Sequence, residues 1–143
     1  MSELILTRPT RLIHTAEVAN EAVHSAGDYY ASGSVKVEDD NELVASVTFT
    51  STGNKVYLQF SCSAKWSGAH PDLEFYVKRG GTEIYRTTVI LAANSRYSVA
   101  FNRSDTPSAG EHLFRVYADI PFFDGNDHYV YNRSLHIHEF KAG

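Results

Sequence analysis

The chain holds one cysteine, Cys62, so no intrachain disulfide can form and the disulfide-stapled secreted scaffolds are excluded. Basic residues are few and scattered. Thirteen Lys and Arg stand against 17 Asp and Glu, for a net charge of −4. With no Lys/Arg cluster, the electrostatic footprint of a nucleic-acid binder is missing and no such partner is expected. Long apolar runs are absent too: none approaches the ~18 residues of a spanning helix, so no membrane insertion is expected. The opening MSELILTRPTRL has no apolar core of signal-peptide length. A protein made in a cytosol is therefore expected, or one that leaves the cell inside a particle. No motif calls for a cofactor, and none is expected.

What the sequence has is aromatic and alternating. Hydrophobic residues make up 43% and charged residues 21%, which is the globular range. A length of 143 residues fits a single domain, 1–143, able to bury its own core. Nine Tyr and eight Phe suit pleated strands, which accommodate flat side chains.

From Leu43 onward the apolar residues recur with period two. Leu43, Ala45, Val47 and Phe49 share one predicted face, and Val56, Leu58, Phe60, Cys62 and Ala64 repeat the scheme after a Ser51-Thr52-Gly53-Asn54 turn. This reads as a hairpin. Leu73, Phe75 and Val77 lead into a second hairpin turn, Arg79-Gly80-Gly81-Thr82. Ile84 to Leu91 and Arg96 to Phe101 read as the next pair, followed by a loop over 102–110. His112 to Ile120 and His128 to Phe140 read as a closing hairpin that builds the C-terminal strand into the fold. At least seven short strands with little helix predict an antiparallel β-sandwich, a jelly roll of about eight strands. Residues 1–42 are less regular, an N-terminal arm or first strands. Ala16 to Ala26 has weak helical spacing ending at Gly27, and a loop or β-arm fits nearly as well. Gly33 marks a turn, and Glu38 to Glu42 a solvated loop.

The second half resembles the jelly-roll head domains of bacteriophage virion and tail-fibre proteins, of the tumour-necrosis-factor-like and complement-like trimeric class. The likeness rests on Val47-Thr48-Phe49-Thr50, on Val56 to Ser61, on Ser108 to Val116, and on the closing Asn132-Arg133-Ser134-Leu135-His136-Ile137 with Glu139 after it. It covers roughly residues 43–140; the N-terminal third shows none. The resemblance implies a non-catalytic homotrimer on a phage-like particle, as capsid decoration or as a tail or receptor-binding head. Its partners would be other virion proteins or a host-surface glycan.

Several groups invite chemistry and have plainer explanations. His136 and His138, at i and i+2 of a strand, face the same way and form a candidate metal pair, or else point into solvent or a subunit contact. Asp124-Gly125-Asn126-Asp127 offers oxygen ligands without a full calcium-loop spacing, and its residues also suit a simple turn. Cys62 shares the apolar parity and reads as a buried small hydrophobe, not a nucleophile. No serine nucleophile elbow or triad order is present, so an enzyme is not expected; a metal-dependent jelly-roll enzyme is the most distant alternative. A carbohydrate-binding, lectin-like module is the nearer alternative. Its candidate residues are Trp66, placed in a loop after the Cys62 strand, with Asp124, Asn126, Asp127, Tyr129 and Tyr131. Arg115, Arg133 and Phe140 are the candidates for a homotypic interface, where Tyr is also enriched.

Overall fold

A computed structural model describes residues 23–37, 41–67, 72–91, 96–120 and 127–140. These form β1 (Val23–Val37), β2 (Glu42–Ser51), β3 (Val56–Ser67), β4 (Asp72–Arg79), β5 (Thr82–Ile90), β6 (Tyr97–Asp105), β7 (Gly110–Asp119) and β8 (Asp127–Phe140). No helix occurs among the described residues. Two four-stranded antiparallel sheets carry the orders β1-β8-β3-β6 and β2-β7-β4-β5. β1 pairs with β8, β2 with β7, β3 with β6 and β4 with β5, as in one long ribbon folded at the β4–β5 turn. Rolling that ribbon brings β8 against β3 and β7 against β4. This is the jelly roll expected from the strand spacing.

The period-two pattern identified β2 to β8 and most of their buried faces. Val56, Leu58, Phe60, Cys62 and Ala64 all point into the core, as do Leu73, Phe75, Val77, Phe114, Val116, Leu135 and Ile137. Pairing was another matter. β4–β5 is a hairpin, but the expected β2–β3, β5–β6 and closing β7–β8 hairpins do not exist, because in each pair the two strands lie in opposite sheets. Parity reports which side of a strand is buried and says nothing about its neighbour. A short polar connection can cross the ~10 Å between packed sheets as well as the ~5 Å between paired strands.

Three local readings also change. A bulge between Leu43 and Ala45 turns both Val44 and Ala45 inward and leaves Leu43 46% exposed, so Leu43 does not share the core face. β1 starts at Val23, which makes Val23 to Gly27 strand, not the end of a helix, and puts Gly33 inside β1 beside a register shift, not at a turn. Residues 16–22 and 38–40 lie outside the described residues, and Glu42 opens β2. Asn102 to Asp105 extends β6, where a loop was expected: an edge strand tolerates polar residues on its solvent side, and inward-facing Asp105 forms an ion pair with Arg79 of the other sheet.

Candidate functional site

The outer face of the β1-β8-β3-β6 sheet collects the polar parity of the chain's last strand. The registers place Ala26, His138, Tyr57 and Ser104 in one row across the four strands. Asp28, His136, Gln59 and Asn102 form the next row, and Tyr30, Ser134, Ser61 and Ala100 the third. Histidines aside, Asp28 is the one charged residue in these rows. Tyr30 is 67% exposed, Tyr57 43% and Phe140 38%. Tyr57 and Phe140 meet edge to face at 5.3 Å and line a cavity of about 410 Å³ with Leu58, Gln59, Asn102 and His138.

His136 sits at the centre of this face. Its Nδ1 contacts Asp28 Oδ1, and its Nε2 lies 3.0 Å from Ser134 Oγ. The order Ser–His–Asp follows from strand geometry: Ser134 and His136 share a face at i and i+2, and β1 brings Asp28 opposite His136. Acyl transfer would also need donors aimed at a developing oxyanion. Backbone N–H groups within a sheet point along its plane into the ladder, not out of the face. The two contacts hold the His136 imidazole between Asp28 and Ser134. It also bears on metal binding. The His136 and His138 rings are 6.4 Å apart, but both nitrogens of His136 are already engaged. Among the described residues no group of three or more His, Cys, Asp or Glu could hold a metal.

The other expected site residues do not converge. Trp66 lies within β3, not in a loop. It is buried, stacked on His128 at 6.1 Å, and its Nε1 donates to the Leu91 carbonyl at 3.2 Å, so its ring faces are not open to a sugar. Asp124 and Asn126 lie outside the described residues, while Asp127 opens β8. Tyr129 and Tyr131 do share the outer face, with rings 6.2 Å apart and the Arg96 guanidinium 4.3 Å from the Tyr131 ring. The three interface candidates separate. Phe140 is on this face, Arg115 is on the outer face of the opposite sheet, and Arg133 reaches between the sheets to donate to the Val44 carbonyl at 3.1 Å. The left-handed backbone of Asn132, φ 49°, lies where β8 shifts register against both neighbours, so alternation no longer predicts where Arg133 points.

The outer face of the β2-β7-β4-β5 sheet is of a different kind. Tyr76 stacks on Tyr117 at 5.1 Å, and the Arg86 guanidinium covers Tyr76 at 4.4 Å. Arg86 also holds Glu83 and Glu74. That contact keeps the exposed Glu83 carboxyl below the usual range. Sequence reasoning missed this ladder, because its partners come from three strands and meet only through the register.

No protein-family model and no curated protein matches the sequence. Solved structures share its fold. A chain of infectious bursal disease virus Gx strain superposes with a TM-score of 0.55 at 11% identity, covering 85% of this chain and 33% of that one. The VP2 subviral particle of the same virus gives 0.55 at 8% identity, covering 82% and 33%. Eiger TNF from S. frugiperda gives 0.53 at 13% identity, covering 82% and 93%. This chain thus spans about a third of the viral chains it matches and corresponds to nearly all of the Eiger chain. Together, sheet order and superpositions define an all-β, antiparallel jelly-roll sandwich.

Proposed function

We propose that this chain is a non-catalytic, homotrimeric structural or adhesin module of a phage-like particle, with the outer face of the β1-β8-β3-β6 sheet as its subunit contact. The observation that carries the reading is the contrast between the two outer faces. One has three central rows with a single carboxylate, held by His136, and is otherwise small polar, imidazole and aromatic. The other is built from ion pairs. Depletion of charge together with enrichment in aromatics marks the core of an interface. The fold shared with a viral particle protein and with a TNF supports a particle-borne, assembling module.

Light scattering tests the reading. The expected mass is three times the 16.0 kDa chain. Ser61, exposed near the middle of the face, is the position to change. Ser61→Arg places a charge inside the contact and leaves a monomer's surface solvated, so the mass should fall to that of one chain with the fold retained. A wild-type monomer at micromolar concentration, or an unchanged trimer in Ser61→Arg, would count against this contact.

A further inference from the structure

On the face left outward by that assembly, two cations make no salt bridge among the described residues. Lys78 of β4 and Arg115 of β7 stand directly opposite each other in register. Like charges in such a pair repel unless something neutralises them. Lys78 Nζ is 6.0 Å from the Tyr117 ring centroid, and the Arg115 guanidinium carbon is 5.9 Å from it. Glu83 stands opposite Lys78 in register, but its carboxylate, like that of Glu74, is bridged to Arg86 and lies beyond ion-pair distance of either cation. Among the described residues, Arg115 donates a hydrogen bond to the Gly80 carbonyl alone, at 3.4 Å.

We propose that Lys78 and Arg115 bind the carboxylate or sulfate of an acidic saccharide, whose ring lies on the neighbouring Leu113. Two cations match one anionic group and are too few for a nucleic-acid backbone. Leu113 is 37% exposed and, two residues before Arg115 on β7, shares its face, giving the C–H side of a sugar an apolar surface. Ser46 of β2, opposite Arg115, offers a hydroxyl for its polar edge. The site deepens the adhesin reading by naming a ligand class, and it rests on that reading in needing this face to stay outward.

Calorimetric titration of the full chain with a heparin-derived tetrasaccharide, tetragalacturonate, uncharged maltotetraose and sodium sulfate tests the site. At least one acidic saccharide should bind, more tightly than sulfate, and maltotetraose should not. Lys78→Gln and Arg115→Gln should each weaken binding about tenfold, the size of one lost charged hydrogen bond, with unfolding temperatures unchanged. No binding of either acidic saccharide at millimolar concentration overturns the proposal. So does sulfate binding as tightly as the sugars, or an affinity unchanged in the double variant. Light scattering on the same samples separates the two proposals. A trimer that binds nothing removes the saccharide site alone, and a monomer that still binds removes the subunit contact alone.

Discussion

The carboxylate of Glu139 accepts a hydrogen bond from the backbone N–H of Thr52 at 3.0 Å, and so ties β8 to the corner where the chain passes from β2 to β3. Glu139 is fully buried and also accepts from Ser51 Oγ at 2.7 Å, Thr52 Oγ1 at 3.1 Å and the Asn54 N–H at 3.1 Å. The corner thus needs no hairpin ladder of its own. A carboxylate from a strand of the neighbouring sheet satisfies its donors instead.

Burial alone would raise the Glu139 pKa, but the hydrogen bonds from Ser51, Thr52 and Asn54 outweigh it and hold the carboxyl below its usual value. A group whose pKa falls on folding contributes stability above its unfolded value, near ~4.3, and that contribution is lost as pH drops through the lower folded value. Glu139→Gln should cost about 2 kcal/mol at neutral pH in urea unfolding. The difference from wild type should shrink below pH ~4. A gap that stays constant into acid would show that the charge contributes nothing.

At Gly27, β1 approaches β2 closely. A Cβ there would lie 2.8 Å from Val47 Cγ1 and 3.4 Å from Phe49. Gly27→Ala should therefore destabilise by about 1–3 kcal/mol through overpacking. Gly33, in the same strand, has open space around it, and Gly33→Ala should stay within about 0.5 kcal/mol. Equal unfolding midpoints for the two variants would refute the close approach.

Asn132 adopts a left-handed backbone at the β8 bulge while its side chain is exposed. Alanine pays for that conformation and glycine does not. Asn132→Ala should lose about 1–2 kcal/mol and Asn132→Gly little, by chemical denaturation. A reversed order would mean the amide, not the backbone, matters.

Cys62 is buried on the core side of β3, and burial pushes its thiol up to about 12, an effect the Arg133 guanidinium only partly offsets. At pH 8 the native protein should leave a thiol-reactive dye uncoloured, with one equivalent reacting after guanidinium unfolding. Rapid labelling of the native protein would place the thiol at the surface.

The closing Asn132-Arg133-Ser134-Leu135-His136-Ile137 run shows how much was legible beforehand. Leu135 and Ile137 were readable as core, because alternation on a strand is a local property. The roles of its other positions were not. Asn132 makes the bulge, Arg133 crosses to the Val44 carbonyl of the other sheet, and Glu139 beyond it holds a corner more than 80 residues earlier in the chain. Each depends on a partner distant in sequence. Trp66 failed for a related reason: a tryptophan at a strand's end reads as a loop residue until Leu91 and His128 are known to close over it.

By itself, the sequence determined that this is an all-β protein, where seven of its eight described strands lie, and which side of most of them is buried, since a period of two needs only neighbouring residues. Tertiary structure decided which strands pair, that Arg115, Arg133 and Phe140 face three different environments, and that the central rows of one outer face hold a single carboxylate while the other face is laced with ion pairs. Those outcomes follow from register between strands far apart in the chain, and local alternation does not encode register.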